Sequence, residues 1–151
     1  MATTVTAATL TQTISESITL NGVTYDKTTT NTIASIANYS CRVLQLKAST
    51  THTLASFASD PTNNVFDTDD FKYLRITNLD DTNAINITLS DESDAGLGVQ
   101  LDAGDSFVLG ALNIDANTSG AALTTLAHSV DKIIIVTGGA ETDIEFVVAT
   151  A

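Results

Sequence analysis

Residues 9–20 alternate without a break. The even positions are Leu10, Gln12, Ile14, Glu16, Ile18 and Leu20, and every odd position is Thr or Ser. A repeat of two is the repeat of a strand, with one mostly apolar face and one hydroxyl face. Wound into a helix, the same residues would scatter both sets around the axis. Asn21-Gly22 comes next. Both residue types tolerate positive φ, so this pair predicts a two-residue hairpin turn and a return strand through Val23 and Tyr25.

The same signals continue along the chain. Thr28–Ala37 reads as extended, Cys41–Leu46 as a strand and Thr53–Phe57 as another. Asp60–Asp70 holds the only Pro, Pro61, and reads as a loop in which Asp67 or Asp69 caps a single helical turn. Phe71–Thr77 and Ile85–Leu89 alternate on either side of Asp80-Asp81-Thr82-Asn83, which predicts a hairpin. In its first arm Phe71, Tyr73, Arg75 and Thr77 share one face, and Leu74 and Ile76 the other. Short strands come next at Val99–Leu101 and Ser106–Leu109, with Asp102-Ala103-Gly104-Asp105 as the turn between them. Residues 110–129 are ambiguous. Ile133-Ile134-Ile135-Val136 predicts a strand apolar on both faces, and Asp143–Ala149 is the last strand. Eight to ten short strands with turns every 8–12 residues predict an all-β, jelly-roll-like single β-sandwich. At 151 residues the chain is sized for one domain. The expected division is an N-terminal arm or strand over 1–20 that serves assembly and a sandwich over 21–151.

Charge divides the chain unevenly. Residues 1–59 carry two acids and three bases, whereas residues 60–151 carry sixteen acids and three bases, for a net charge of −12 overall. An acidic chain lacks the basic face that nucleic acid or an anionic membrane requires, so neither is an expected partner. No apolar run nears the ~20 residues that span a bilayer. The opening Met1-Ala2-Thr3-Thr4-Val5-Thr6 lacks the basic and apolar regions of a secretion signal, and the expectation is a chain that is not secreted by that route. The near-neutral first third is expected to meet a neighbour while the acidic remainder faces water. A β-rich segment that happens to carry few charges is the alternative.

Catalytic chemistry finds little to work with. The two histidines, His52 and His128, each sit in polar runs, and the Gly-x-Ser-x-Gly elbow is absent. Cys41, beside Arg42 and Val43, reads as a small buried side chain, and a single cysteine excludes an internal disulfide. Asp67/Asp69/Asp70, Asp80/Asp81 and Asp91/Glu92/Asp94 could offer oxygens to calcium. Asp and Asn are also ordinary turn residues, which is the expected reading. Trp is absent and Tyr25, Tyr39 and Tyr73 are the only tyrosines, a poor platform for glycan. No catalytic, cofactor-binding or metal-binding residue is assigned, and no cofactor is expected. The expectation is a protein without enzymatic activity. A calcium- or glycan-binding module stays open as an alternative.

Tyr73-Leu74-Arg75-Ile76-Thr77-Asn78-Leu79-Asp80, the corner Leu101-Asp102-Ala103-Gly104-Asp105-Ser106 and the closing run Asp143–Thr150 resemble, in style and order, small virion proteins of tailed bacteriophages. The resemblance covers residues 65–151. It departs at Ala103, where such proteins often have Pro. It implies a β-sandwich building part of a virion: a capsid decoration (cement) subunit, or a tail, head–tail or fibre module. It further implies oligomers, often trimers, and as partners other copies of the chain and the major capsid protein or another virion protein. No functional residues carry over, because such families define none.

Overall fold

The computed structural model describes residues 6–58, 65–67, 70–90, 96–110 and 130–151. They form strands β1 (Ala8–Leu20), β2 (Val23–Ile36), β3 (Asn38–Leu46), β4 (Thr51–Ala58), β5 (Val65–Asp67) and β6 (Phe71–Asn78). Beyond these come β7 (Ile85–Ser90), β8 (Gly96–Leu101), β9 (Ser106–Gly110), β10 (Lys132–Thr137) and β11 (Thr142–Thr150). No helix occurs among the described residues, and the fold is all-β. Among the described residues, one sheet has the order β5-β4-β10-β7-β8 and a second β3-β11-β6-β9, while β1 and β2 pair only with each other.

The two larger sheets enclose the core. Phe146, Leu74, Ile76 and Ile144 from one meet Ile85, Ile87, Ile133 and Ile135 from the other, all under 2% exposed. Each such side chain contributes roughly 1.5–3 kcal/mol through removal from water. Leu74 and Ile76 face inward and Arg75 and Thr77 outward, as alternation predicts. Phe71 does not join the Tyr73 face. Thr150 pairs with Phe71 but Ala149 with Tyr73, so Lys72 is an extra residue in the ladder. That bulge turns Phe71 toward the core, against Phe57 at 5.2 Å between ring centroids.

The expected hairpin of residues 71–89 is instead an arch. β6 lies in the four-stranded sheet and β7 in the five-stranded sheet, so the chain crosses the core between them. The corner between β8 and β9 does the same, which pairs β6 with β9 and β7 with β8. Asn78, fully buried, joins the two arches. Its Nδ2 donates to the carbonyls of Asn83 (2.8 Å), Asp102 (3.1 Å) and Leu101 (3.3 Å), and its Oδ1 accepts from the amide of Asp80 at 3.1 Å. Alternation is the same for a strand that folds back and one that crosses over, which is why the sequence pattern suits both.

Other expectations differ in detail. The 60–70 segment contains β5, parallel to β4, and Asp67 ends that strand, while the helical turn expected after it lies outside the described residues. Asp69 lies outside the described residues, as do residues 111–129. Ile133 and Ile135 are buried, but Ile134 is half-buried and Val136 exposed, because only one face of that sheet meets the core. The extended reading of 28–37 is correct, and β2 runs on to Ile36.

Candidate interaction surface

β1 and β2 form one long hairpin. Asn21 and Gly22 have φ of 51° and 78°, the paired positive values of a two-residue hairpin turn. Thirteen residues of β1 extend roughly 44 Å at strand rise. Directly paired residues share a face, so the register Leu10↔Ile33, Gln12↔Asn31, Ile14↔Thr29, Glu16↔Lys27, Ile18↔Tyr25 and Leu20↔Val23 defines one surface. The opposite surface is almost all hydroxyl. There Ser15 pairs with Thr28 at 3.2 Å, Thr19 with Thr24 at 2.9 Å, and Ser17 donates to Asp26 at 2.5 Å. These bonds link the two legs on the hydroxyl side.

Among the described residues, only the base of the hairpin is covered. Leu10, Ile33 and Ile36 pack on Tyr73, Val147 and Ala149 of the β3-β11-β6-β9 sheet. Ile33 and Ile36 are three apart and would face opposite sides of a regular strand. The register slips between Ala8 and Leu10, and Ser35 takes φ of 62°, so the bulge brings both onto the sandwich. From Thr13 to Thr30 every residue is exposed. Five are large and apolar: Ile14 at 45%, Ile18 at 61%, Leu20 at 58%, Val23 at 52% and Tyr25 at 59%. Sequence alternation indicates an apolar face here. It carries no sign that the face is left uncovered.

Below the hairpin, polar groups cross the outer face of the four-stranded sheet. The Arg75 guanidinium donates to Glu145, whose other oxygen lies 3.6 Å from the Cys41 thiol, and Thr77 bonds Ser106 at 2.8 Å. A groove of about 410 Å³ opens between this row and the hairpin, lined by Gln12, Ile14, Tyr39, Tyr73, Arg75 and Val108 among others. Cys41 is exposed, which corrects the buried reading. It shares the outward phase of Tyr39 and Val43, both exposed. Desolvation against the sheet, then the Glu145 carboxylate, push its thiol pKa up, so the protonated form dominates. Desolvation likewise raises the Tyr73 phenol.

The remaining sequence candidates lie apart. His52 is half-buried in β4, its Nε2 3.2 Å from the Lys47 carbonyl. His128 and the Asp91/Glu92/Asp94 cluster lie outside the described residues. The Asp80 carboxylate is taken up by its own turn. Its Oδ1 accepts from the amides of Thr82 (2.8 Å) and Asn83 (2.7 Å), which hold its pKa below the usual carboxylate range. Among the described residues no three His, Cys, Asp or Glu side chains are grouped to hold a metal ion, and no helix is long and apolar enough to cross a membrane.

No protein-family model matches the chain and no curated protein matches it. A solved structure, from work describing Bacillus endospore appendages as a novel family of disulfide-linked pili, is similar over 75% of this chain and 82% of its own. The identity is 13% and the TM-score 0.46.

Proposed function

We propose that the chain is a non-enzymatic structural protein of a tailed-phage particle, a decoration subunit that seats its low-charge end on the capsid exterior. The observation that carries this reading is the hairpin, a projecting element exposed from Thr13 to Thr30 on an otherwise acidic molecule. The segment from Ala8 to Ile36 contains Glu16, Asp26 and Lys27, a net of −1, against −12 for the whole chain. The Thr/Ser surface can hydrogen-bond a partner's backbone without stripping water from charges. The acidic body faces solvent and keeps neighbouring particles apart.

The test is co-sedimentation of the full chain with particles. The full chain pellets with capsids and a chain lacking residues 1–8 binds at least tenfold more weakly. So does the Ser15→Lys, Thr28→Glu variant, which places opposite charges on directly paired hydroxyl positions. Failure of the full chain to pellet, or unchanged affinity in both variants, refutes the proposal.

A further inference from the structure

The two surfaces of the hairpin are chemically different, and the apolar one has its own requirement. An isolated two-stranded hairpin is marginal in water, and stability comes from a covered apolar face. Here the described residues of the body cover only the base, through Leu10, Ile33 and Ile36. The outer half leaves Ile14, Ile18, Leu20, Val23 and Tyr25 roughly half exposed. We propose that this outer half is a self-association surface and that its occupant is the hairpin of a second copy of this chain. The inference deepens the structural reading above, on which it rests for leaving the hydroxyl surface to the particle.

Charge selects the occupant. The only charges on the apolar face are Glu16 and Lys27, which are register partners and sum to zero. A second copy brings the same neutral strip, with an acid and a base at one level. Its body, in contrast, carries most of the net −12 and repels another body. The base of each strip is already occupied by its own sandwich, so the copies meet through their outer halves, tip first. The hairpins, roughly 44 Å long, then hold the acidic bodies at opposite ends, beyond the ~8 Å Debye length at physiological salt.

Area is sufficient for such a contact. Five large side chains at about half exposure present on the order of 500 Å², the size of the largest apolar patch on an ordinary monomer. Two copies therefore bury about 1,000 Å² in total, the lower bound of a specific interface. Association at micromolar concentration is the corresponding expectation.

The experiment is sedimentation equilibrium of the full chain from 1 to 200 μM. The wild type self-associates. Ile18→Lys with Tyr25→Glu places opposite charges on a directly paired position of the apolar face and raises the dissociation constant at least 100-fold. Leu20→Thr with Val23→Thr keeps strand propensity and weakens association at least tenfold. Ser15→Lys with Thr28→Glu, on the other surface, leaves it unchanged. A wild type monomeric throughout this range, or association unaffected by the two apolar-face variants, overturns the inference. Monomers whose apolar-face variants lose particle binding also overturn it and assign the face to the capsid. Self-association lost in those variants, with no particle binding by the wild type, supports it and refutes the decoration reading alone.

Discussion

Replacing Asn78 by Ala tests whether one amide joins the two arches. Its Nδ2 offers two hydrogens to three carbonyls, and its Oδ1 takes the Asp80 amide. The side chain is sealed from water. Alanine leaves at least two carbonyls without those donors, at ~1–3 kcal/mol each. Allowing for partial entry of water, the loss is about 3–4 kcal/mol, a large share of the ~5–15 kcal/mol that stabilises a domain. At ~2–4 °C per kcal/mol for a chain of this size, the midpoint falls by about 10 °C. Thermal unfolding monitored by circular dichroism reads this directly. Asn78→Asp separates hydrogen bonding from volume. It keeps the shape but turns an oxygen toward the carbonyls, and it destabilises at least as much as Ala. Asn83→Ala is the control, because its side chain bonds Asp80 and Thr82 at the exposed turn. It costs no more than ~1 kcal/mol. A drop under about 3 °C for Asn78→Ala, or a tolerated Asp, refutes the role assigned to Asn78.

Two further predictions concern titration and exposure. The Asp80 carboxyl has a folded pKa below its unfolded value, so its contribution is present above the unfolded pKa of about 3.9 and is lost as pH falls through the folded value. Asp80→Asn keeps an acceptor that does not titrate. The wild-type midpoint therefore falls more steeply than the variant's below pH 4, and parallel curves would contradict this. Cys41 is exposed, so a maleimide labels one thiol per native chain without denaturant. The rate at pH 8 is slower than that of a free cysteine, because the thiol pKa is raised. Labelling that requires denaturant refutes the outward placement.

Strand identity was legible because repeat-of-two patterning is local. The 9–20 alternation, the Asn21-Gly22 turn and the inward Leu74 and Ile76 are all consequences of it. Strand partnership is not local. Residues 71–89 alternate as a hairpin would, yet β6 and β7 belong to different sheets. The decisive residue is Asn78, whose side chain bonds carbonyls on both arches. A buried Asn cannot be told from a turn Asn by sequence. Phe71 and Ile36 escaped for a related reason. One extra residue in a ladder moves the neighbouring part of the strand onto the opposite face, and bulges leave no mark in hydropathy.

The interaction surface divides the same way. Alternation identifies which residues share the apolar face, but coverage depends on how far the body extends beneath it. Leu10 and Ile18 have the same phase and the same chemistry, yet one rests on Tyr73 and Val147 while the other stands in water. Charge asymmetry supplies the missing link between pattern and role. A strip this apolar on a basic chain would invite nucleic acid or lipid as well as protein. On a chain of net −12, with Glu16 and Lys27 cancelling within the strip, the hairpin is a surface on which contact buries little net charge. Both the proposed seat on a capsid and the proposed pairing of copies therefore depend on one physical separation. The residues that gain from losing water are held, along a single hairpin, away from most of the carboxylates, and the one among them, Glu16, is paired with Lys27.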